Sequence, residues 1–567
     1  MKKFKNILAI ILLAMVAFSC SDVLDKGPLD KYSENDVWKS TDLTQAFIYT
    51  ALKNATDKLI WKDNWTDNDA ILEDGRDINA ELIDRYYNPD GWWNVYGDIR
   101  RCNMVLSKVP DAPFTETEKA HFIAQAKMIR AIIYFSRARL FGKLMLVKEL
   151  VDSEMEMTFS RTATIKETYD FILNDLQEAA PDLPVDAEAG ALSRGAAYAL
   201  IGEVALHGAA YIENGQDAYY KIGAKACENL FDLGKYSLDK DYQKMFNDYD
   251  HSLISSEIIL AQWRSPENTT FADTWMQRLV PNIAKDKLAA DVQELYPLVE
   301  EYAGWPQMFP SVSLVNDYLV KDADGAAKEW DKTSYYQDFL ENGGMVKDAI
   351  YKNRDKRFDA SIVYDECSYF ANKVYLREGG NLYYSSKTTE VWGMPVSGYI
   401  YRKGVYESKR LLNTEKTGYH YTLLRLGRAY LNYAEIKLRQ NDKKTAIKYI
   451  NKTRVDHGGL PELAETTTLE EVWKEYKRER RIDLVHEGDR YWSILRWGKA
   501  ENLEVVPELT VEQKFMKISS DGKSFEIIAL PNYVADNERV FTKKRYLFPV
   551  PQGERDQNTN LDQNEGW

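Results

Sequence analysis

Apolar residues recur at three- and four-residue steps over several long stretches of the chain, as they do on the buried face of an α-helix. The clearest stretch is 116–141, where that face carries Phe122, Ala126, Ile129, Ile133 and Leu140. A partner helix is predicted over 164–180, because Thr164 followed three places later by Glu167 is the signature of a capping box. The pattern therefore predicts a first pair of helices.

Further helix pairs follow the same pattern and are split by turn-forming residues. They are predicted over 193–213 with 217–233, over 421–440 with 442–456, and over 468–487 with 489–499. Small and aromatic residues, such as Ala429 and Tyr433, alternate where paired helices would approach closely. Such pairs are typical of tetratricopeptide-like units. We expect a mainly α fold on a tetratricopeptide-like helix-pair scaffold.

Residues 261–410 differ from the rest of the chain. Pro, Gly, Trp and Asn become frequent and the apolar runs become short, which predicts a loop-rich insertion with two or three hairpins. Long irregular segments in compact proteins commonly carry function, so we expect a binding insertion here. The expected organisation is a signal peptide at 1–19, an N-terminal scaffold with a first binding segment at 20–260, the insertion at 261–410, C-terminal helix pairs at 411–500 and a C-terminal lobe at 501–567.

The N-terminus has the pattern of an export signal. Lys2, Lys3 and Lys5 precede an apolar run over 7–18 that is short for a membrane span. The run ends at Cys20, which predicts lipid attachment there, although an ordinary secretory signal with an incidental cysteine remains the alternative. Acyl chains on Cys20 would hold the mature protein at a membrane without a spanning helix.

Charge and composition exclude several classes of function. The formal net charge is −14 at pH 7 and no basic block stands clear of acidic neighbours, so we expect no nucleic-acid partner. Cys102, Cys227 and Cys367 are too widely spaced for a zinc site and are expected to be buried thiols. With 14 Trp and 37 Tyr, the polar chain is unusually rich in rings that combine an apolar face with a polar edge.

Several motifs in order along the chain are those of one protein family. The early ones are Trp92, Tyr96, Ile99 and Asn103, then Arg130-Ala131, Tyr134-Phe135 and Phe141-Gly142, then 353–358, where Lys356 replaces a proline. The later ones are Glu479-Arg480-Arg481, residues 487–492 and 495–498, and the closing segments 547–551 and 563–567. Through these motifs the chain resembles the SusD/RagB family of outer-membrane nutrient-binding lipoproteins.

The resemblance implies a surface-exposed lipoprotein anchored in the outer membrane through Cys20. It also implies a SusC-like TonB-dependent transporter as partner, and a ligand that in this family is usually an oligosaccharide and sometimes a peptide. We therefore expect a glycan-binding protein that is not an enzyme and has no cofactor. The alternatives are a peptide-binding member of the same architecture, a surface glycoside hydrolase, or a structural adaptor.

The charged cluster near the C-terminal helices has two interpretations. Glu479, Arg480, Arg481, Glu487 and Arg490 could form an acid/base pair with an anion clamp, or buried ion pairs along one helical face. We expect the ion pairs. Asp322-Ala323-Asp324-Gly325 contains only a fragment of a calcium-loop pattern, and a surface turn is expected there, so no metal site is predicted.

Binding a sugar requires exposed aromatic faces with polar side chains at their edges. Two stretches have this composition, 61–93 and the insertion. The candidate ligand-binding residues are Trp65, Arg76, Trp93, Trp275, Trp305 and Trp392. Trp92 would share a helical face with Tyr96 and Ile99, so we expect Trp92 in the core and Trp93 exposed.

Overall fold

A computed structural model describes residues 34–60, 63–71, 76–151, 159–283, 302–383, 395–408, 411–530 and 539–567. The signal peptide, Cys20 and Trp392 lie outside these ranges, so the predictions made for them remain predictions. Within the described ranges, no helix combines the length and the apolar character needed to cross a bilayer. The three cysteines that are described are free and buried, as expected.

Helices are the main regular structure of the described residues. In the N-terminal half they are α1 (Glu34–Val37), α2 (Thr41–Asp57), α3 (Arg76–Asn79), α4 (Tyr96–Lys108), α5 (Glu116–Phe141), α6 (Ile165–Ala179), α7 (Arg194–Tyr211), α8 (Gln216–Asp232), α9 (Tyr242–Asn247) and α10 (Tyr249–Ile254). In the C-terminal half they are α11 (Val312–Asp317), α12 (Ser334–Asn342), α13 (Val346–Ile350), α14 (Lys356–Ser361), α15 (Leu426–Arg439), α16 (Lys443–Asp456), α17 (Leu469–Asp483), α18 (Arg490–Ala500) and α19 (Gln552–Gln557).

The long helices pack as consecutive pairs, α5 with α6, α7 with α8 and α15 with α16, which confirms the predicted helix-pair scaffold. Local sequence sets their ends. Thr115 and Glu118 form a reciprocal capping box at the start of α5, and the helix ends at Gly142, whose φ of +69° favours glycine. The side chain of Thr164 accepts from the Glu167 backbone N–H at 3.2 Å and begins α6.

Two predicted helix boundaries are wrong. Residues 421–425 belong to a strand, β12 (Tyr419–Arg425), which pairs antiparallel with β2 (Ile258–Arg264). Its run of Tyr, Thr and Leu fits a fully buried strand as well as a helix, and only the distant partner decides between them. Helix α17 ends at Asp483 instead of continuing to 487, because the chain turns through positive φ at His486 and Gly488.

The insertion contains short strand pairs, as predicted. Its strands are β3 (Asn282–Ile283), β4 (Tyr302–Ala303), β5 (Met308–Pro310), β6 (Val320–Lys321), β7 (Ala327–Lys328), β8 (Ile362–Val363), β9 (Ser368–Tyr369), β10 (Asn372–Lys373) and β11 (Ile400–Tyr401). Outside the insertion lie β1 (Asp69–Ile71), β13 (Lys514–Ile518) and β14 (Phe525–Ala529). Three pairs are local, β3–β4, β6–β7 and β9–β10. Pairs β1–β5 and β8–β11 join distant segments, and helices α11 to α14 were not predicted.

Candidate ligand-binding site

Two of the predicted tryptophans, Trp275 and Trp305, lie on neighbouring turns of the insertion. The Trp305 N–H donates to the Gln277 carbonyl at 2.5 Å, and the Gln307 N–H donates to the Arg278 carbonyl at 3.3 Å. Trp305 is 43% exposed, whereas Trp275 is half-buried against the core. These two rings and the side chains between them are called the ledge below.

Polar side chains border the ledge. The Arg278 guanidinium lies 5.6 Å from the centre of the Trp275 ring and donates to the side-chain amide of Gln307. The Gln277 side chain donates to the Asn413 amide oxygen at 3.0 Å. The ledge therefore combines an open aromatic face with amide groups, which both donate to and accept from hydroxyl groups, and a guanidinium group, which donates to them.

Gly304 allows the ledge to form. A Cβ atom at this position would lie 1.7 Å from the Val280 carbonyl oxygen, so no other residue fits without backbone movement. The neighbouring pair Asn282↔Ala303 joins β3 to β4, and the Ala303 N–H donates to the Leu411 carbonyl at 3.0 Å. Trp305 thus sits on a backbone that is held from two sides.

A small cavity of about 40 Å³ lies beside Trp275. Lys403, His486 and Glu487 line part of it, and burial lowers the pKa of Lys403 to about 8. The volume suits a water molecule but not a sugar ring. Ligand binding at the ledge must therefore occur on its outer surface.

The tryptophans of the first segment lie elsewhere, and the expected exposure of Trp93 is wrong. Trp93 is 3% exposed and packs edge-on against Phe141, with ring centres 5.0 Å apart. Trp92 is the more accessible of the two. The error arises because α4 begins only at Tyr96, so the helical spacing used for both tryptophans does not apply to them. With no open face, Trp93 is a core residue.

Trp65 and Arg76 are not brought to the ledge. Trp65 is half-buried in an aromatic cluster, 5.4 Å from Trp92 and 5.4 Å from Tyr491 between ring centres. Arg76 is exposed at the start of α3, and among the described residues no hydrogen bond or ion pair links it to the ledge.

The charged cluster forms buried ion pairs, as expected. Arg490 binds Asp67 with two hydrogen bonds of 2.9 and 2.8 Å, and Arg481 donates to the Asn68 side chain and the Asp67 carbonyl. Burial acts to raise the pKa of Asp67, but Arg481 and Arg490 together hold it below its ordinary value. These arginines fasten the segment 63–71 to α17 and α18.

A second buried network joins β12 to the ends of α16 and α17 and to the residue that precedes β2. Arg425 pairs with Glu257 at 2.8 Å, with Asp483 at 2.5 Å and with Glu487 at 2.8 Å. His457 lies between Glu257 and Asp483, at 3.0 and 2.9 Å. Every carboxylate named here is buried and paired, so the network stabilises the fold instead of facing a substrate.

The calcium-like fragment is a turn, as predicted. The Gly325 N–H donates to the Asp322 carbonyl at 2.9 Å, which closes the turn. Lys328 Nζ lies 2.6 Å from the Asp322 carboxylate and 2.7 Å from that of Asp324, so an ammonium group occupies the position between the two acids. Within the described part of the chain, no group of His, Cys, Asp or Glu side chains could hold a metal ion.

Sequence reasoning missed the polar border of the ledge. Gln277 and Arg278 follow Trp275 closely, and Gln307 follows Trp305, so amide-rich neighbours of an insertion tryptophan were an available signal. Asn413 comes from a segment more than a hundred residues away and carries no local signal. Its contribution depends on the pairing of the insertion with residues 411–413.

Comparison with protein families accounts for most of the chain. Residues 256–567, more than half of the chain, match the SusD family. Residues 28–206 match a SusD-like family described as starch-binding and associating with the outer membrane. A SusD-like protein of Formosa agariphila is 22% identical over 532 residues, which cover 88% of this chain and 93% of that protein.

Solved structures share the fold. A SusD-like protein from Bacteroides fragilis matches with a TM-score of 0.76 and 23% identity, covering 96% of this chain and 100% of that one. A laminarin-binding SusD-like protein matches with a TM-score of 0.62 and 18% identity, covering 93% of this chain and 100% of that one. The fold of this chain thus recurs in other proteins.

Proposed function

Because the chain belongs to the SusD family, we propose that it is a surface-exposed outer-membrane lipoprotein that binds a glycan without cleaving it. The observation that carries this proposal is the ledge. An exposed tryptophan, Trp305, stands beside Trp275 and is bordered by the side chains of Gln277, Arg278 and Gln307. A structurally similar protein binds laminarin, which supports a glycan as the ligand class.

The physical basis of binding is stacking combined with hydrogen bonding. A sugar ring has an apolar C–H face, which would cover the open face of Trp305 and remove both surfaces from water. The hydroxyl groups at its edge can then bond to the amides and the guanidinium of the border. The ledge is an open surface, so it suits an internal stretch of a long chain as well as a chain end.

We further propose that the protein is anchored through Cys20 and delivers its ligand to a SusC-like TonB-dependent transporter. The support is the export-signal pattern at the N-terminus together with the family described as associating with the outer membrane. A weak, open binding site is appropriate for this role, because the ligand must be released to the transporter. A Cys20→Ala variant should no longer fractionate with outer membranes, whereas the unchanged chain should.

Substitution of Trp305 tests the glycan site. We expect Trp305→Ala to weaken retention in affinity gels containing starch, laminarin or xyloglucan by roughly tenfold, equivalent to about 1.4 kcal/mol. Trp305→Phe should retain most of the affinity because it keeps a stacking face. Tyr86→Ala, which removes another exposed ring outside the ledge, should have no effect.

Two outcomes would contradict the proposal. If Trp305→Ala is retained as strongly as the unchanged chain, the ledge is not the binding site. Release of reducing sugars during prolonged incubation of the purified protein with a retained polysaccharide would instead show a glycoside hydrolase.

A further inference from the structure

A cleft of about 510 Å³ lies on the scaffold, between α17, α18, the end of α11 and the turn at 507–509. It shares no residue with the ledge. Among the side chains lining it are Asp317, Trp473, Lys477, Arg478, Trp497 and Glu508. Its volume is within the usual range for small-ligand sites, about 300–1,000 Å³.

Aromatic rings form one side of this cleft. Trp473 is half-buried although its helix, α17, is otherwise strongly polar. Its ring meets Tyr476 edge-on at 5.8 Å between centres, and Tyr476 meets Trp497 in the same way at 6.2 Å. The Arg439 guanidinium lies 4.7 Å from the centre of the Trp473 ring and supports it. The ring is therefore held in place before any ligand arrives.

The cations of the cleft are already neutralised. Arg478 pairs with Glu329 at 2.8 Å and also with the buried Glu475, and Lys477 pairs with Glu501 at 3.1 Å. An anionic ligand would have to compete with these carboxylates. The charge balance therefore favours a neutral ligand.

Hydrogen-bonding capacity at the cleft comes from its accessible polar groups. The Trp497 Nε1–H and the Arg478 Nε–H have no acceptor among the described residues, but both groups are enclosed and cannot reach a ligand without movement. Glu508 makes no ion pair with any described residue and remains available as an acceptor. The hydroxyl groups of a ligand can donate to this carboxylate.

We propose that this cleft is a second binding site, for a neutral saccharide, on the scaffold of the protein. The choice of a saccharide rests on the proposed glycan-binding function, whereas the site itself rests on the aromatic side of the cleft and the available Glu508 carboxylate. Two sites on one chain would let a polysaccharide bind at both, so that the second contact raises the apparent affinity for the polymer.

The test uses the full chain in affinity gels containing starch, laminarin, xyloglucan or polygalacturonate. We expect Trp473→Ala to weaken retention in a neutral gel by roughly tenfold through lost avidity. In a Trp275→Ala/Trp305→Ala background, weak retention should persist and should disappear when Trp473→Ala or Glu508→Gln is added. Trp473→Phe is the matched control, and Glu508→Gln tests the site without removing a packed ring.

The outcomes separate this inference from the proposed function. Suppose that Trp473→Ala and Glu508→Gln leave retention unchanged in both backgrounds, while Trp305→Ala weakens it. The ledge alone then binds glycan and the proposal of a second site is wrong. If the residual retention is seen only with polygalacturonate, the neutral class is wrong. If no gel retains the unchanged chain, the glycan-binding proposal fails and this inference fails with it.

Discussion

Trp93 and Trp305 carry the same side chain and have opposite roles. Trp93 is enclosed by the scaffold and contacts Phe141, whereas Trp305 projects from a turn of the insertion. Nothing in the immediate sequence separates them, since both stand among aromatic, Gly and Pro residues. Burial alone decides which ring is enclosed in the core and which is exposed at the surface.

This difference predicts opposite effects of truncation. Trp93→Ala should lower the free energy of unfolding by about 3–5 kcal/mol, because it leaves a cavity in the core. Trp305→Ala should change it by less than about 0.5 kcal/mol, as expected for an exposed side chain. Chemical denaturation of both variants measures the two values. A large loss of stability in Trp305→Ala would show that its ring is a packing residue.

The bidentate ion pair of Arg490 and Asp67 is a second contact between single residues that stabilises the fold. Arg490→Met should lower the free energy of unfolding by about 3 kcal/mol, since it removes the bidentate partner of the buried Asp67. The pKa of Asp67 should rise at the same time. Adding Asp67→Leu should recover part of the lost free energy of unfolding, because two apolar side chains at positions 67 and 490 leave no unpaired carboxylate in the core. A double variant less stable than Arg490→Met would contradict this account.

At the scale of elements, local signals placed the long scaffold helices well. The capping box at Thr115, the N-cap at Thr164 and the glycine at 142 are short-range features, and α5 and α6 begin and end within a residue or two of the predicted positions. The short strands had no comparable signal. Each has only two or three residues, and most depend on a partner for their identity, as β1 depends on β5.

The turn that carries Trp305 gives a prediction at this scale. Gly304→Ala should reduce retention in the glycan gels at least as much as Trp305→Ala does, although it changes none of the side chains of the ledge. The added Cβ would collide with the Val280 carbonyl and displace the turn. Gly343→Ala is a useful control, because the structure leaves open space around that glycine, although its φ of +71° adds some strain. Normal retention of Gly304→Ala would show that the turn tolerates movement.

At the scale of the whole molecule, one buried charge network joins elements from both halves of the chain. Glu257 precedes β2, Arg425 ends β12, His457 follows α16 and Asp483 ends α17. Burial by itself would lower the pKa of His457, but Glu257 and Asp483 outweigh it and raise the pKa from 6.5 to about 9. His457 is therefore protonated at neutral pH in the folded protein.

The network predicts a defined dependence of stability on pH. The stabilisation from His457 is fully present below pH 6.5 and is lost as the pH rises through about 9, because the raised pKa belongs to the folded state. Its partner Glu257 has a pKa lowered to about 2, mainly through His457 and Arg425 against burial, so its contribution is lost as the pH falls below 4.5. The stability difference between the unchanged chain and His457→Gln should therefore be largest between pH 4.5 and 6.5. A difference that stays constant up to pH 10 would contradict a protonated His457.

The sequence by itself determined the helix-pair scaffold and the family, because periodicity, caps and ordered motifs are properties of neighbouring residues. It also indicated that Arg481 and Arg490 would be buried in ion pairs. Only the tertiary structure decided that Trp93 is enclosed, that Trp275 and Trp305 share one ledge with Asn413, and that residues 421–425 form a strand. These features depend on contacts between segments far apart in the chain, and periodicity along a single segment cannot specify which distant surface will cover it.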